Sequence, residues 1–223
     1  MRALLVSIVG FSMLTRVAAA TALSHQTDYC ASNQYEVTIV GSGSAGFLFD
    51  TSAWAEAGAC LRFPIDLLTK AATNIDVMTW EGVTRIVPLQ PLPLAQHQLM
   101  RVHIDYEASH EHFFVCQTAQ WPMEWTETLV PISGSNRKRV EITADRVPGG
   151  NSNGGYIKKW SVRAELLPVS ANETSFHIRY EIAAPWQEAD WAVGAITEYI
   201  DRLSTVASGG KAPGPIIDPD CPP

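Results

Sequence analysis

The eight residues MRVHIDYE, Met100 to Glu107, alternate without a break: Met100, Val102, Ile104 and Tyr106 are apolar, while Arg101, His103, Asp105 and Glu107 are polar. A period of two over this length predicts a strand with one buried and one wetted face. The same pattern recurs at Val140, Ile142 and Ala144, at Trp160, Val162, Ala164 and Leu166, and at Phe176, Ile178, Tyr180 and Ile182. Turn-forming stretches separate these runs at Ser133 to Asn136, Pro148 to Gly155 and Ser170 to Glu173. One-sided strands joined by short turns imply an antiparallel meander. Weaker alternation adds expected strands at Gly82 to Leu89 and His110 to Thr118. The aromatic cluster Trp121-Pro122-Met123-Glu124-Trp125 lies between expected strands and reads either as the rim of a cavity mouth or as a strand end kinked at Pro122.

Helical spacing occurs twice. Pro64 to Met78 sets Leu67, Leu68, Ala71, Ala72 and Ile75 on one stripe behind a first-turn proline. Trp186 to Ala207 aligns Ala189, Val193, Ile196, Ile200 and Leu203, with Glu188 and Asp190 where the helix dipole favours acids. The expected fold is α+β: a curved antiparallel sheet of about six or seven strands gripping a long C-terminal helix.

The segment YEVTIVGSGSAGFLFD, Tyr35 to Asp50, carries G-x-G-x-x-G at Gly41, Gly43 and Gly46 after an apolar run. That is the fingerprint of a dinucleotide-binding turn, which would make the chain an oxidoreductase. Such a turn must open a helix, and parallel strand-helix units must follow. Here Pro64 interrupts the second candidate strand, and Gly82 to Ala184 has antiparallel patterning without crossover helices. We therefore expect an extra hairpin within residues 35–54, with YEVTIV and FLFD as strands around a GSGSAG connection.

The stretch CLRFPIDLLTKAATNIDVMTWEGVTRIVPL, with Trp80-Glu81-Gly82-Val83 leading into a strand, resembles the opening of START-like (SRPBCC superfamily) domains. The last two strands and closing helix, from Tyr156 to Leu203, resemble that family's C-terminal part, so the likeness spans about Ala55 to Ala207. It implies a helix-grip domain over residues 35–208, binding a lipid, sterol, polyketide or hormone between sheet and helix; some family members are cyclases or dehydratases.

Composition adds a compartment. Residues 1–22 join Arg2, the apolar run ALLVSIVGFSML and a small-residue end at Ala20-Thr21-Ala22, the layout of a cleaved signal peptide. A secreted or periplasmic product follows, with a flexible segment at 23–34, a Pro/Gly-rich tail at 209–223, and no stable membrane insertion after cleavage. The formal net charge of −7 disfavours nucleic acid and anionic surfaces, and the one basic cluster, Arg137-Lys138-Arg139, reads as a solvated strand start. Cys30, Cys60, Cys116 and Cys221 suit disulfides, for which three pairings exist. Because Cys30 and Cys221 lie in the two irregular ends, we expect them to pair with each other, leaving Cys60 for Cys116.

Candidate chemistry is sparse. His110 and His112 form an H-x-H pair to which His103, expected on the preceding strand, would add a third ligand; polar residues near a hairpin are the plainer reading, and no metal or cofactor is expected. Glu124 and Glu127 cannot be placed in one cleft by any sequence argument. The leading expectation is a binding protein for a hydrophobic small molecule or lipid rather than an enzyme. The lining would come from Val102, Ile104, Tyr106, Phe114, Trp160, Val162, Phe176, Ile178 and Tyr180 on the strands, with Ile196 and Ile200 on the helix. A polyketide cyclase-like enzyme using Tyr106, Tyr180 or a histidine, and an interaction domain whose core is filled by its own side chains, are the alternatives. A protein partner is not identifiable.

Overall fold

The computed structural model describes residues 28–31, 35–47, 50–79, 85–86, 90–112, 115–150, 156–185 and 187–214. The expected signal peptide, Phe114, Cys221 and most of the C-terminal tail lie outside them. Nine strands form one antiparallel sheet: β1 (Thr38–Phe47), β2 (Asp50–Leu61), the two-residue β3 (Arg85–Ile86) and β4 (Gln90–Pro91), β5 (Gln98–His112), β6 (Val115–Pro131), β7 (Lys138–Arg146), β8 (Lys159–Pro168) and β9 (Thr174–Ala184). Their order is β1-β2-β9-β8-β7-β6-β5-β3, with β4 also on β5. Seven long strands thus make an open sheet, and helices α1 (Ile65–Ala72) and α2 (Ala189–Ala207) pack on each other. This is the helix-grip α+β architecture that the alternating patterns imply.

Register shows how the inner face is built. Ala53, Ala55, Ala57 and Ala59 of β2 stand opposite Ile182, Tyr180, Ile178 and Phe176 of β9, all buried. Helix α2 makes its main strand contacts with β1, β2 and β9, because a row of methyl groups lets a helix come close. Toward β5 and β6 the large side chains Tyr106, Trp121, Met123 and Trp125 occupy the inner face. The layer between sheet and helix is therefore a wedge, thin at β2 and thick at β5 and β6. The buried face of α2 is carried by Ala192, Ala195, Ile196, Tyr199, Ile200, Arg202 and Leu203, rotated from the expected stripe so that Val193 is only partly buried.

Arg202 fastens this helix. Its guanidinium, 1% exposed, donates to Glu198 at 2.8 Å, to the Asp76 carbonyl at 3.2 Å, to the Gly214 carbonyl at 3.2 Å and to the Pro213 carbonyl. A buried cation is tolerable here because its donors are occupied by a carboxylate and backbone carbonyls.

Several expectations need correction. The glycines do not form the hairpin connection: Gly41, Gly43 and Gly46 lie within β1, and the chain reverses between Phe47 and Asp50. Gly41 and Gly43 are needed because the Trp54 indole lies across β1; a Cβ at Gly43 would come within 2.9 Å of Trp54 Nε1, and one at Gly41 within 3.1 Å of its ring. Arg179 covers the same indole from 4.6 Å. No helix follows these glycines, which removes the geometry a dinucleotide needs.

The run His110 to Thr118 is not one strand, since β5 ends at His112 and β6 begins at Val115. The Trp121 to Trp125 cluster lies not between strands but in the middle of β6. Pro122 fits there because the β7 ladder begins at Met123; beyond it the Val147 N–H still donates to the Pro122 carbonyl at 3.0 Å, and the N–H that proline lacks costs only the reciprocal bond at the ladder's end. Helix α1 closes at Ala72, short of Met78, and continues as turns. The expected strand at Gly82 to Leu89 is described only at Arg85–Ile86.

Cys30 pairs with Cys60, at a Cα separation of 4.7 Å, and not with Cys221. Cys60 cannot reach Cys116, because β2 and β6 are four positions apart in the sheet, at ~4.8 Å per strand. Cys116 is itself disulfide-bonded. The Cys30 bridge holds a short strap on the outer face: Tyr29 lies over Gly58, where any Cβ would overlap its ring, and the Tyr29 N–H donates to Ser175 Oγ at 3.0 Å.

Peptide mapping without reductant should join Cys30 to Cys60. Gly58→Val should expel Tyr29 and cost about 1–3 kcal/mol, whereas Gly194→Ala, whose Cβ meets nothing within 4 Å, should stabilise α2 by about 0.5–1 kcal/mol. Urea unfolding of the three proteins checks both signs.

Candidate functional site

The residues expected to line an interior do converge. Val102, Ile104 and Tyr106 of β5, Trp160 and Val162 of β8, Phe176, Ile178 and Tyr180 of β9, and Ile196 and Ile200 of α2 are all buried in one cluster between sheet and helix. Tyr106, Trp121 and Trp160 stack, with Trp121 and Trp160 centroids 4.9 Å apart. Trp160, Tyr180 and Trp191 continue the group edge to face. A second group lies nearer the middle of α2: Tyr199 stacks on Trp125 at 6.4 Å and on Phe176 at 6.3 Å. Such pairs prefer offset and tilted geometry, and they give a rigid apolar wall.

The expected lining omits four members of this wall, Trp121, Trp125, Glu127 and Tyr199, although a cavity rim is one reading of the Trp121 to Trp125 cluster. A signal was present. Trp121, Met123, Trp125 and Glu127 share one parity, but Pro122 hid the strand and a glutamate at an apolar position breaks the alternation.

Glu127 is the anomaly. Its exposure is 0%, and neither carboxyl oxygen has a hydrogen-bond partner. Across the sheet its neighbours are Met100 on β5 and Ile142 on β7, and the same rung continues through Ala164 and Ile178 to Ala57. Desolvation pushes its pKa up to about 8. At neutral pH the group is therefore mostly a neutral acid, with an O–H to donate and a C=O to accept.

The tyrosines are held protonated. Burial raises Tyr106, Tyr180 and Tyr199 above the usual phenol range, and the proximity of Glu127 adds to the shift at Tyr199. Tyr106 is also committed structurally, donating to the Met78 carbonyl at 2.9 Å. These properties argue against phenolate base catalysis by Tyr106 or Tyr180.

Other candidates separate. His103 lies on the same strand as His110 and His112, not the preceding one, and at ~3.4 Å per residue it is over 20 Å from them along β5. Among the described residues no group of three or more His, Cys, Asp or Glu is arranged to hold a metal. Glu124 points away from Glu127 and pairs with Arg101 at 2.7 and 3.1 Å. On the outer face Glu56 bridges His177 at 2.9 Å and Arg179 at 3.1 Å, beside the Tyr29 strap.

No protein-family model and no curated protein sequence matches the chain. Among solved structures, human STARD10 is similar at 4% identity and a TM-score of 0.47, over 85% of this chain and 83% of that one. The lipid transfer and protein localization domain of human StarD13 is similar at 6% identity and a TM-score of 0.42, over 78% and 90%. The Zhui aromatase/cyclase from a Streptomyces species is similar at 11% identity and a TM-score of 0.37, over 70% and 88%. These neighbours share the helix-grip arrangement. At such scores they say nothing of what this interior holds, which rests on its own residues.

Glu127 makes stability depend on pH. The folded state keeps its proton up to about pH 8, while an unfolded glutamate loses it near pH ~4.3. The folded state thus binds more protons between these values, so stability falls as pH rises through that window. Glu127→Gln should flatten this slope, gaining a few kcal/mol relative to the parent at pH ~8 compared with pH ~4. Denaturant melts at both pH values measure the difference.

Proposed function

We propose that the chain is an exported carrier that holds a hydrophobic small molecule or lipid between the inner face of the sheet and α2. The observation that carries this reading is the wedge: α2 is seated on the alanine row of β2, and its widening side is lined by rigid aromatic rings from β5, β6 and β8. An apolar wall with a few convergent polar groups is the usual composition of a small-molecule site. Tyrosines held protonated favour binding over base catalysis. The Cys30–Cys60 bridge supports an oxidising compartment, in keeping with the signal peptide expected at residues 1–22. In this reading the lining comes from Val102, Ile104, Tyr106, Trp160, Phe176 and Tyr180, with Ile196 and Ile200 from the helix.

Mass spectrometry of an organic extract of the protein, purified from its native compartment, should detect a co-purifying lipid-like molecule. In parallel, Ile200→Trp should abolish binding of a fluorescent fatty-acyl probe with the thermal midpoint nearly unchanged. A filled core would give the opposite: no probe binding by the parent, and a loss of about 1–3 kcal/mol in the variant through overpacking.

A further inference from the structure

Every other member of the rung that crosses the sheet at Glu127 is apolar: Met100, Ile142, Ala164, Ile178 and Ala57. Two aromatic residues of the wall lie close to it, Trp125 two residues back on the same face of β6, and Tyr199, which stacks on Trp125 from α2. A buried polar group with no partner costs stability in the free protein, and that cost is removed if something else supplies the missing hydrogen bond.

We propose that Glu127 is the polar anchor of the interior, and that it takes an uncharged, largely apolar molecule by one oxygen function, a hydroxyl or a carbonyl. This rests on the carrier reading and adds the ligand's chemical class to it. A neutral carboxyl donates to a carbonyl, and both donates to and accepts from a hydroxyl. A cationic amine is the poorer match, because it would require a charged pair in a rung that offers no further polar group to satisfy either ion. Titratable and charged groups on the elements packed around Glu127 are few. Across the sheet Met100 and Ile142 carry no charge. From α2 Tyr199 is near enough for Glu127 to add to its upward shift, while Arg202 is engaged by Glu198 and by the carbonyls of Asp76, Pro213 and Gly214.

The test measures binding of four probes of equal chain length, dodecane, dodecanol, dodecylamine and a twelve-carbon methyl ketone, by tryptophan fluorescence and calorimetry at pH 6 and pH 9. The full chain, Glu127→Gln and Glu127→Met are compared. At pH 6 the parent should prefer dodecanol and the ketone to dodecane and the amine by about tenfold, the worth of one well-made hydrogen bond. Glu127→Met should lose that preference, and Glu127→Gln should keep it. At pH 9 the parent has lost its donor and should release the ketone, whereas Glu127→Gln should hold it at both pH values. That comparison decides even if Glu127→Met does not fold.

An unchanged preference in Glu127→Met, or ketone binding by the parent that ignores pH, overturns the anchor and leaves the carrier standing. A preference for dodecylamine also overturns the anchor, in favour of a carboxylate binding an ammonium. No binding of any probe overturns both.

Discussion

Helix α2 can approach the sheet only where the strand beneath it is made of small side chains, and β2 supplies them at Ala53, Ala55, Ala57 and Ala59. Much of the molecule follows from this seating. The helix is close on one side, so the layer must widen on the other, and large side chains are needed there to line it. Trp121, Trp125, Trp160 and Tyr106 do so. Arg202 then prevents the helix from sliding, because its guanidinium is shared between Glu198, the turn after α1 and the segment beyond the helix.

The wedge also explains the electrostatics. A carboxyl on a wetted strand face would be ionised at neutral pH; the same group on the inner face of β6 loses its hydration and keeps its proton. The phenols respond to the same desolvation and stay neutral. The interior is thus rich in polar atoms but nearly free of charge, a combination suited to neutral guests. Apart from Arg202 with Glu198 on α2, charged pairs such as Arg101 with Glu124 and Arg163 with Asp145 lie on the outer face of the sheet, where water lowers both their cost and their worth.

The strands with strict alternation were legible from sequence, as was α2, because each shows its buried face through a single period. Three features were not, for separate physical reasons. Glycines usually mark turns, but Gly41 and Gly43 of β1 accommodate the indole of Trp54 on the next strand, a long-range contact no local pattern encodes. A proline usually ends a strand, yet Pro122 falls at the end of the β7 ladder, where its missing N–H costs a single bond. Glu127 reads as a wetted position because burial of an unpartnered acid violates the rule by which inner faces are recognised. The disulfide is illegible for a related reason: an irregular end has no periodicity to give its register, and the Tyr29 strap folds back onto β2 through a long-range contact.

That strap has a further consequence for how molecules meet one another. Among the described residues strand β1 is one flank of the sheet, and it combines glycines with exposed Val40 and Phe47, the features of a flank on which a foreign strand can add. Cys30–Cys60 clips the chain just before β1 to the far end of β2, closing a loop that contains the whole hairpin. The clip limits fraying of the flank most prone to cross-molecular pairing. In a reducing environment the first failure of this protein would accordingly be self-association through β1, with the interior still intact.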